Sequence, residues 1–141
     1  MVRLACIGTN FITDWLLEGI REVEGIELSA VYSRTMEKGK EFAAKYGVDK
    51  VYDNYEELAK DPEIDAVYVA SPTYCHFKHT MMMLNYKKHV LCEKPVASNL
   101  TELELMIQAA KENQVVFMEA MKSIHTPGFK AMKEHLPKLG T

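Results

Sequence analysis

Cysteine is scarce in this sequence and scattered along it. Cys6, Cys75 and Cys92 are odd in number and contain no Cys-x-x-Cys pair. That argues against both a disulfide framework and a thiolate metal site, and it suits a reducing, cytoplasmic setting. Long apolar runs are missing too: none reaches the roughly 18 residues of a membrane span. The first residues lead straight into a strand, with no basic segment and no cleavage site, so no secretory signal is read there. Positive charge is not in excess. A formal net charge of -3 disfavours nucleic acid as the main partner. There is no low-complexity segment, no interior linker, and no repeat beyond an alternation of strands and helices.

What is present has the balance of an ordinary globular domain, at 48% hydrophobic and 26% charged. A chain of 141 residues fits one domain and is long enough to bury a self-standing core. Met81 to Met83 fall within a helical pattern and read as core filler and surface, not as a metal box. No metal site is expected.

Short apolar runs alternate with helical spacing. Val2–Ile7, Leu28–Tyr32, Ala66–Ala70, His89–Cys92 and Val115–Met118 read as strands, with Val51–Tyr52 as a brief further one. Their apolar character on both faces is that of parallel strands covered by helices. Leu16, Ile20 and Val23 mark a first helix, Phe42, Ala43 and Tyr46 a second, and Tyr55–Lys60 a third. Phe77, Thr80, Met81 and Leu84 mark a fourth, and Leu103, Met106, Ile107 and Ala110 a fifth, which Asn99 and Glu102 cap. Thr126 and Pro127 open a last helix that runs toward Leu139, Gly140 and Thr141. The expected fold is α/β: a doubly wound, mostly parallel, Rossmann-type sheet in three α/β/α layers.

The segment Gly8-Thr9-Asn10-Phe11-Ile12-Thr13 joins the first strand to the first helix. Its position aims free amides and the positive end of a helix dipole at one spot, which suits a phosphate. Only Gly8 matches the dinucleotide fingerprint. Asn10 is read as a stand-in for the second glycine, able to visit the left-handed region and to donate to a phosphate oxygen. Thr13, larger than Ala, is expected to push the helix outward a little. An ordinary strand–helix turn is the competing reading.

The second strand ends Tyr32-Ser33-Arg34-Thr35, with Lys38 one turn on and no carboxylate at the ribose-reading position. A hydroxyl beside a guanidinium suits a phosphate monoester, which favours NADP over NAD. Arg34 also disfavours an S-adenosylmethionine methyltransferase, whose site wants a carboxylate. The other reading of Arg34 is a solvated charge after a strand. Ser71, Pro72, Thr73 and His76 follow the fourth strand, at the edge where open α/β sheets bind ligands; a structural histidine is the alternative there. Glu93, Lys94 and Pro95 follow the fifth. A lysine over the crevice can share a proton with a substrate hydroxyl, whereas a surface ion pair with Glu93 is the simpler reading. Pro95 is expected to force an extended path.

These segments together resemble the Gfo/Idh/MocA oxidoreductases, the family of glucose–fructose oxidoreductase and inositol dehydrogenase. The Glu93-Lys94-Pro95 element carries the resemblance, with Ile7-Gly8-Thr9, Tyr32-Ser33-Arg34, Asp65 to Pro72 and Met118-Glu119-Ala120-Met121 in order around it. The last of these is similar to the dihydrodiol dehydrogenase branch. The resemblance implies a nicotinamide-dependent oxidoreductase acting on a sugar, polyol or related alcohol. It implies Gly8, Thr9, Asn10, Phe11 and Ile12 at the pyrophosphate, and Ser33, Arg34 and Lys38 at the adenosine ribose. Ser71, Pro72, Thr73 and His76 would lie along the cofactor, Glu93 near the nicotinamide ribose, and Lys94 beside the reacting carbon. It further implies a dinucleotide domain over residues 1–122, and residues 123–141 leading to a substrate domain outside this chain. The full-length protein would be a homo-oligomer. A non-catalytic nucleotide-sensing domain of the same fold is the alternative function.

Overall fold

The computed structural model describes residues 1–138. The expected end of the last helix near Gly140 lies outside them. Six strands form one sheet: β1 (Val2–Ile7), β2 (Ile26–Tyr32), β3 (Val51–Tyr52), β4 (Ala66–Val69), β5 (His89–Cys92) and β6 (Phe117–Glu119). The order is β3-β2-β1-β4-β5-β6 and every pairing is parallel. The helices between them are α1 (Phe11–Ile20), α2 (Met36–Ala44), α3 (Tyr55–Lys60), α4 (His76–Asn85) and α5 (Leu100–Asn113), with α6 (Pro127–His135) after the sheet.

Alternation along the strands builds two cores. Leu4, Cys6, Val31, Tyr68 and Ala70 face α1 and α2, meeting Leu17 and Phe42. Ala5, Ile7, Val67, Val69 and Val90 face the opposite way and meet Leu58, Met83, Leu84 and Met106 of α3, α4 and α5. Each large apolar side chain fully buried in this way contributes about 1.5–3 kcal/mol. The strand order reverses between β1 and β4, and there the carboxyl ends of Ile7 and Val69 open a crevice.

The boundaries differ from the sequence reading in a few places, each for a local reason. β2 starts at Ile26, not Leu28, because Ile26 already pairs with Val2 of β1. β4 ends at Val69, with Ala70 N donating once more to Ile7 O at 2.8 Å. β6 begins at Phe117. Val115 N is spent on Ala110 O at the end of α5, after Gln114 turns left-handed. α1 stops at Ile20, so Val23 sits in the following turn and is exposed. α2 stops at Ala44, and Tyr46 packs from outside it, its hydroxyl donating to Asp14. On α5 the buried stripe is Met106, Ala109 and Ala110, while Ile107 faces solvent. The expected caps are present: Glu102 N donates to Asn99 Oδ1 at 2.9 Å, and Phe129 N to Thr126 Oγ1 at 3.3 Å.

Candidate functional site at the carboxyl edge of the sheet

The turn after β1 is shaped by close approach. Gly8 has φ +115°, and a Cβ there would lie 2.4 Å from Ala70 O, so only glycine lets this loop pass over the end of β4. Two expectations about the next residues fail. Asn10 is not left-handed: with φ -104° and ψ 174° it is the extended N-cap of α1. Its Oδ1 accepts from Ile12 N at 3.0 Å, and its Nδ2 donates to Ala70 O at 2.8 Å. It therefore acts as a helix cap and a strap to β4. Thr13 does not push α1 outward. It is fully buried, and its hydroxyl donates to Gly8 O at 3.0 Å, which draws helix and turn together.

With those bonds made, the amides of Thr9, Asn10 and Phe11 have no acceptor among the described residues. They form an open cradle at the positive end of α1. Ile12, half-buried, and the exposed ring of Phe11 border it.

The segment after β2 lies beside this cradle. Ser33 is buried, and its amide donates to Tyr52 O at 3.0 Å. Arg34 and Lys38 are exposed. Thr35 caps α2 by position only, since its side chain makes no capping bond and leaves the first turn open. Gly39 allows the packing here. A Cβ on it would meet Val51 Cγ1 at 2.5 Å and Ser33 Cβ at 3.3 Å, so α2 seats directly on β3 and Ser33.

After β4, Pro72 and Thr73 are exposed at the rim, and Ser71 is half-buried. His76 is not a ligand-facing residue. It is buried, with Nδ1 2.9 Å from Pro95 O and Nε2 2.8 Å from Ser71 O. Both ring nitrogens lie against backbone carbonyls, and an imidazole with one N–H donates to one of them at a time, so His76 sits as a strut between the segments that follow β4 and β5.

Lys94 stands on a braced backbone. Glu93 N donates to Val69 O at 2.8 Å, and Lys94 N donates to Glu93 Oε2 at 3.2 Å. Val96 N donates to Glu119 Oε1 at 3.0 Å. The Lys94–Pro95 peptide is cis, and the backbone bends at these two residues. Glu93 and Lys94 form no surface ion pair: the Glu93 carboxylate takes the Tyr68 hydroxyl at 2.7 Å, and the Lys94 ammonium pairs with no carboxylate among the described residues.

Sequence reasoning missed Tyr68, Gly39 and His79. His79, on α4 one turn after His76, is buried against Tyr32 and Tyr55 and hydrogen-bonded to Ser71 Oγ at 2.9 Å. Burial, aided by nearby Lys78 and His76, lowers its pKa to about 4, so the ring is neutral here.

The donor set fits a phosphorylated dinucleotide: free amides on a helix N-terminus, two basic side chains one strand away that have no carboxylate partner among the described residues, and an exposed lysine just after β5. Among the described residues no helix is long and apolar enough to cross a membrane.

Comparison with known proteins follows the same line. The sequence model of GFO_IDH_MocA, described as "Oxidoreductase family, NAD-binding Rossmann fold", matches residues 2–121. The chain is 50% identical over 141 residues to scyllo-inositol 2-dehydrogenase (NADP(+)) IolU of Bacillus subtilis (strain 168), covering 100% of this chain and 43% of that protein. It is 45% identical over 95 residues to trans-1,2-dihydrobenzene-1,2-diol dehydrogenase of Danio rerio, covering 67% of this chain and 28% of that one. Among solved structures, KijD10, a 3-ketoreductase from Actinomadura kijaniata in complex with NADP and TDP-benzene, superposes with a TM-score of 0.90 at 27% identity. That match covers 97% of this chain and 42% of KijD10. The chain thus spans less than half the length of these relatives.

Proposed function

The chain belongs to the Gfo/Idh/MocA oxidoreductase family, and on that premise we propose that it is the cofactor-holding part of an NADP-dependent dehydrogenase acting on a sugar, polyol or related alcohol. One observation carries the reading: an open amide cradle at Thr9–Phe11 and a braced Lys94 with an unpaired ammonium lie at one sheet edge.

In this proposal the amides of Thr9, Asn10 and Phe11 hold the diphosphate, with Gly8 admitting the loop and Ile12 packing beside it. Ser33, Arg34, Lys38 and the uncapped first turn of α2 hold the 2′-phosphate. The guanidinium supplies paired, charge-assisted hydrogen bonds, so a bare ribose hydroxyl would be a poorer ligand. NADP in the name of the Bacillus relative and in the KijD10 complex supports the same choice. Ser71, Pro72 and Thr73 give a low rim along which the ligand can lie close to the backbone. Glu93 faces the nicotinamide-side ribose.

When bound, the nicotinamide supplies the hydride acceptor or donor. Lys94 does the rest of the local chemistry. As an alcohol is oxidised its hydroxyl proton must leave, and Nζ of Lys94 is the group placed to receive it when present as the neutral amine, or to stabilise the oxygen that loses it when present as the ammonium. In the reverse direction the same nitrogen returns the proton. Orientation of the alcohol requires a further part of the protein. We place residues 1–122 in the cofactor domain and 123–141 in the lead to a substrate domain. The greater length of the relatives supports this, as do the exposed Met118, Met121, Ile124, Met132 and Leu136 in and after β6. A homo-oligomer in the cytoplasm, without nucleic-acid or membrane partners, completes the proposal; the scattered free cysteines favour that compartment.

A crystal structure with NADPH tests it. The expected result is a diphosphate on the Thr9–Phe11 amides and Lys94 Nζ within hydrogen-bond reach of the space over the nicotinamide. A cofactor bound elsewhere overturns it.

A further inference from the structure

Tyr68 is buried to 1% exposure in the middle of β4. It pairs in register with Leu91, and Glu93 comes two residues later, so the two side chains project from the same face of the sheet. The phenol reaches forward and donates to Glu93 Oε1 at 2.7 Å. Glu93 Oε2 accepts from Lys94 N at 3.2 Å. Each carboxylate oxygen has taken one donor and keeps acceptor capacity for another. Burial raises the pKa of the Tyr68 hydroxyl far above its ordinary value, and Glu93 raises it further. The phenol therefore stays a donor at every working pH. Without that donor, the neighbouring Lys94 ammonium is the natural partner for the carboxylate, and pairing would occupy both groups.

We propose that Tyr68 is a positioning residue: through Glu93 it holds a carboxylate open toward the crevice as the acceptor for a ribose hydroxyl on the nicotinamide side of the dinucleotide, and keeps that carboxylate off Lys94. The inference rests on the dinucleotide reading above. Tyr68 touches no ligand and acts only through Glu93.

The test measures dissociation constants of the chain for NADPH and for 2′,5′-ADP, which carries the adenosine side and its phosphates but no nicotinamide ribose. Tyr68→Phe keeps ring and volume and removes only the donor. It is expected to weaken NADPH about tenfold, the scale of one hydrogen bond to a charged group, and to leave 2′,5′-ADP within about twofold. Glu93→Ala is expected to weaken NADPH at least as much. The double variant Tyr68→Phe/Glu93→Ala should bind no more weakly than Glu93→Ala alone, because Tyr68 works through Glu93. Equal loss for both ligands in Tyr68→Phe, no loss for either, or additive losses in the double variant would overturn the proposal. Thermal unfolding accompanies each titration. If Tyr68→Phe does not fold, crystals of the unsubstituted chain with NADPH decide. Glu93 on a hydroxyl of the nicotinamide-side ribose, with the Tyr68 phenol still on its other oxygen, supports the proposal; Glu93 turned from the ribose or paired with the Lys94 ammonium overturns it. An unsubstituted chain that binds neither ligand refutes the cofactor reading itself, a result distinct from any of these.

Discussion

Asn10 Nδ2 donates to the carbonyl oxygen of Ala70 at 2.8 Å, tying the turn after β1 to the end of β4 across 60 residues of sequence. The other end of the same amide caps α1. One side chain thus fixes both walls of the crevice. Asn10→Ala removes cap and strap together and is expected to lower unfolding free energy by about 1–2 kcal/mol. Asn10→Asp keeps the capping oxygen but loses the strap donor, and should recover roughly half of that loss. Urea titrations of the three proteins give the ranking.

Arg34 is exposed and the first turn of α2 beside it is uncapped. If the pair holds a 2′-phosphate, Arg34→Ala should weaken NADPH by about 10–100-fold, the loss of paired charge-assisted bonds. NADH affinity should move less than threefold. Calorimetry with both cofactors reads the difference, which should shrink as salt is raised.

His79 couples the rim to pH. Its pKa of about 4 in the fold compares with about 6.5 in an unfolded chain. Between these values the unfolded chain binds a proton that the native one refuses, so stability is whole above about pH 6.5 and falls as pH drops toward 4. The loss is on the order of 2–3 kcal/mol. His79→Gln should flatten unfolding free energy over that window. A second loss follows at lower pH from Asp61: burial would raise its pKa, but Tyr52, the Glu63 amide and Lys50 outweigh that and hold it at about 2. A depressed carboxylate stabilises above its unfolded value near 4 and loses that contribution as pH falls through 2.

Lys94 separates an enzyme from a nucleotide sensor. In a protein that includes the substrate-holding part, Lys94→Ala should reduce kcat by about 10²–10⁴-fold while Kd for NADPH changes only a few-fold. Unchanged turnover would remove Lys94 from the chemistry.

How much of this was legible in the sequence depends on the range of each interaction. β1 and β5 are readable to the residue because Val2–Ile7 and His89–Cys92 are short, mostly apolar runs that stop at Gly8 and at the charged Glu93-Lys94. The caps at Asn99 and Thr126 were readable because they act within three residues. The end of α1 is not legible, because Val23 keeps the helical spacing after the backbone has turned away. The start of β6 is not legible either, because Val115 looks like a strand residue but closes a helix. At the site, the segments after β1, β2, β4 and β5 were found, since topology alone brings strand ends together. The uses of individual side chains were not. Asn10 bonds to Ala70, His76 to Pro95, Tyr68 to Glu93 and His79 to Ser71. Most of these partners are many residues apart, and no local pattern announces them. Gly39 is hidden for the same reason, because the Val51 methyl that demands it belongs to β3, across the loop from α2.

The most direct test of the account is a calorimetric titration of this chain with NADPH and, separately, with NADH. Saturable one-to-one binding of NADPH, at least tenfold tighter than NADH, is the predicted result. Negligible heat with both, or equal affinity for the two, would contradict it.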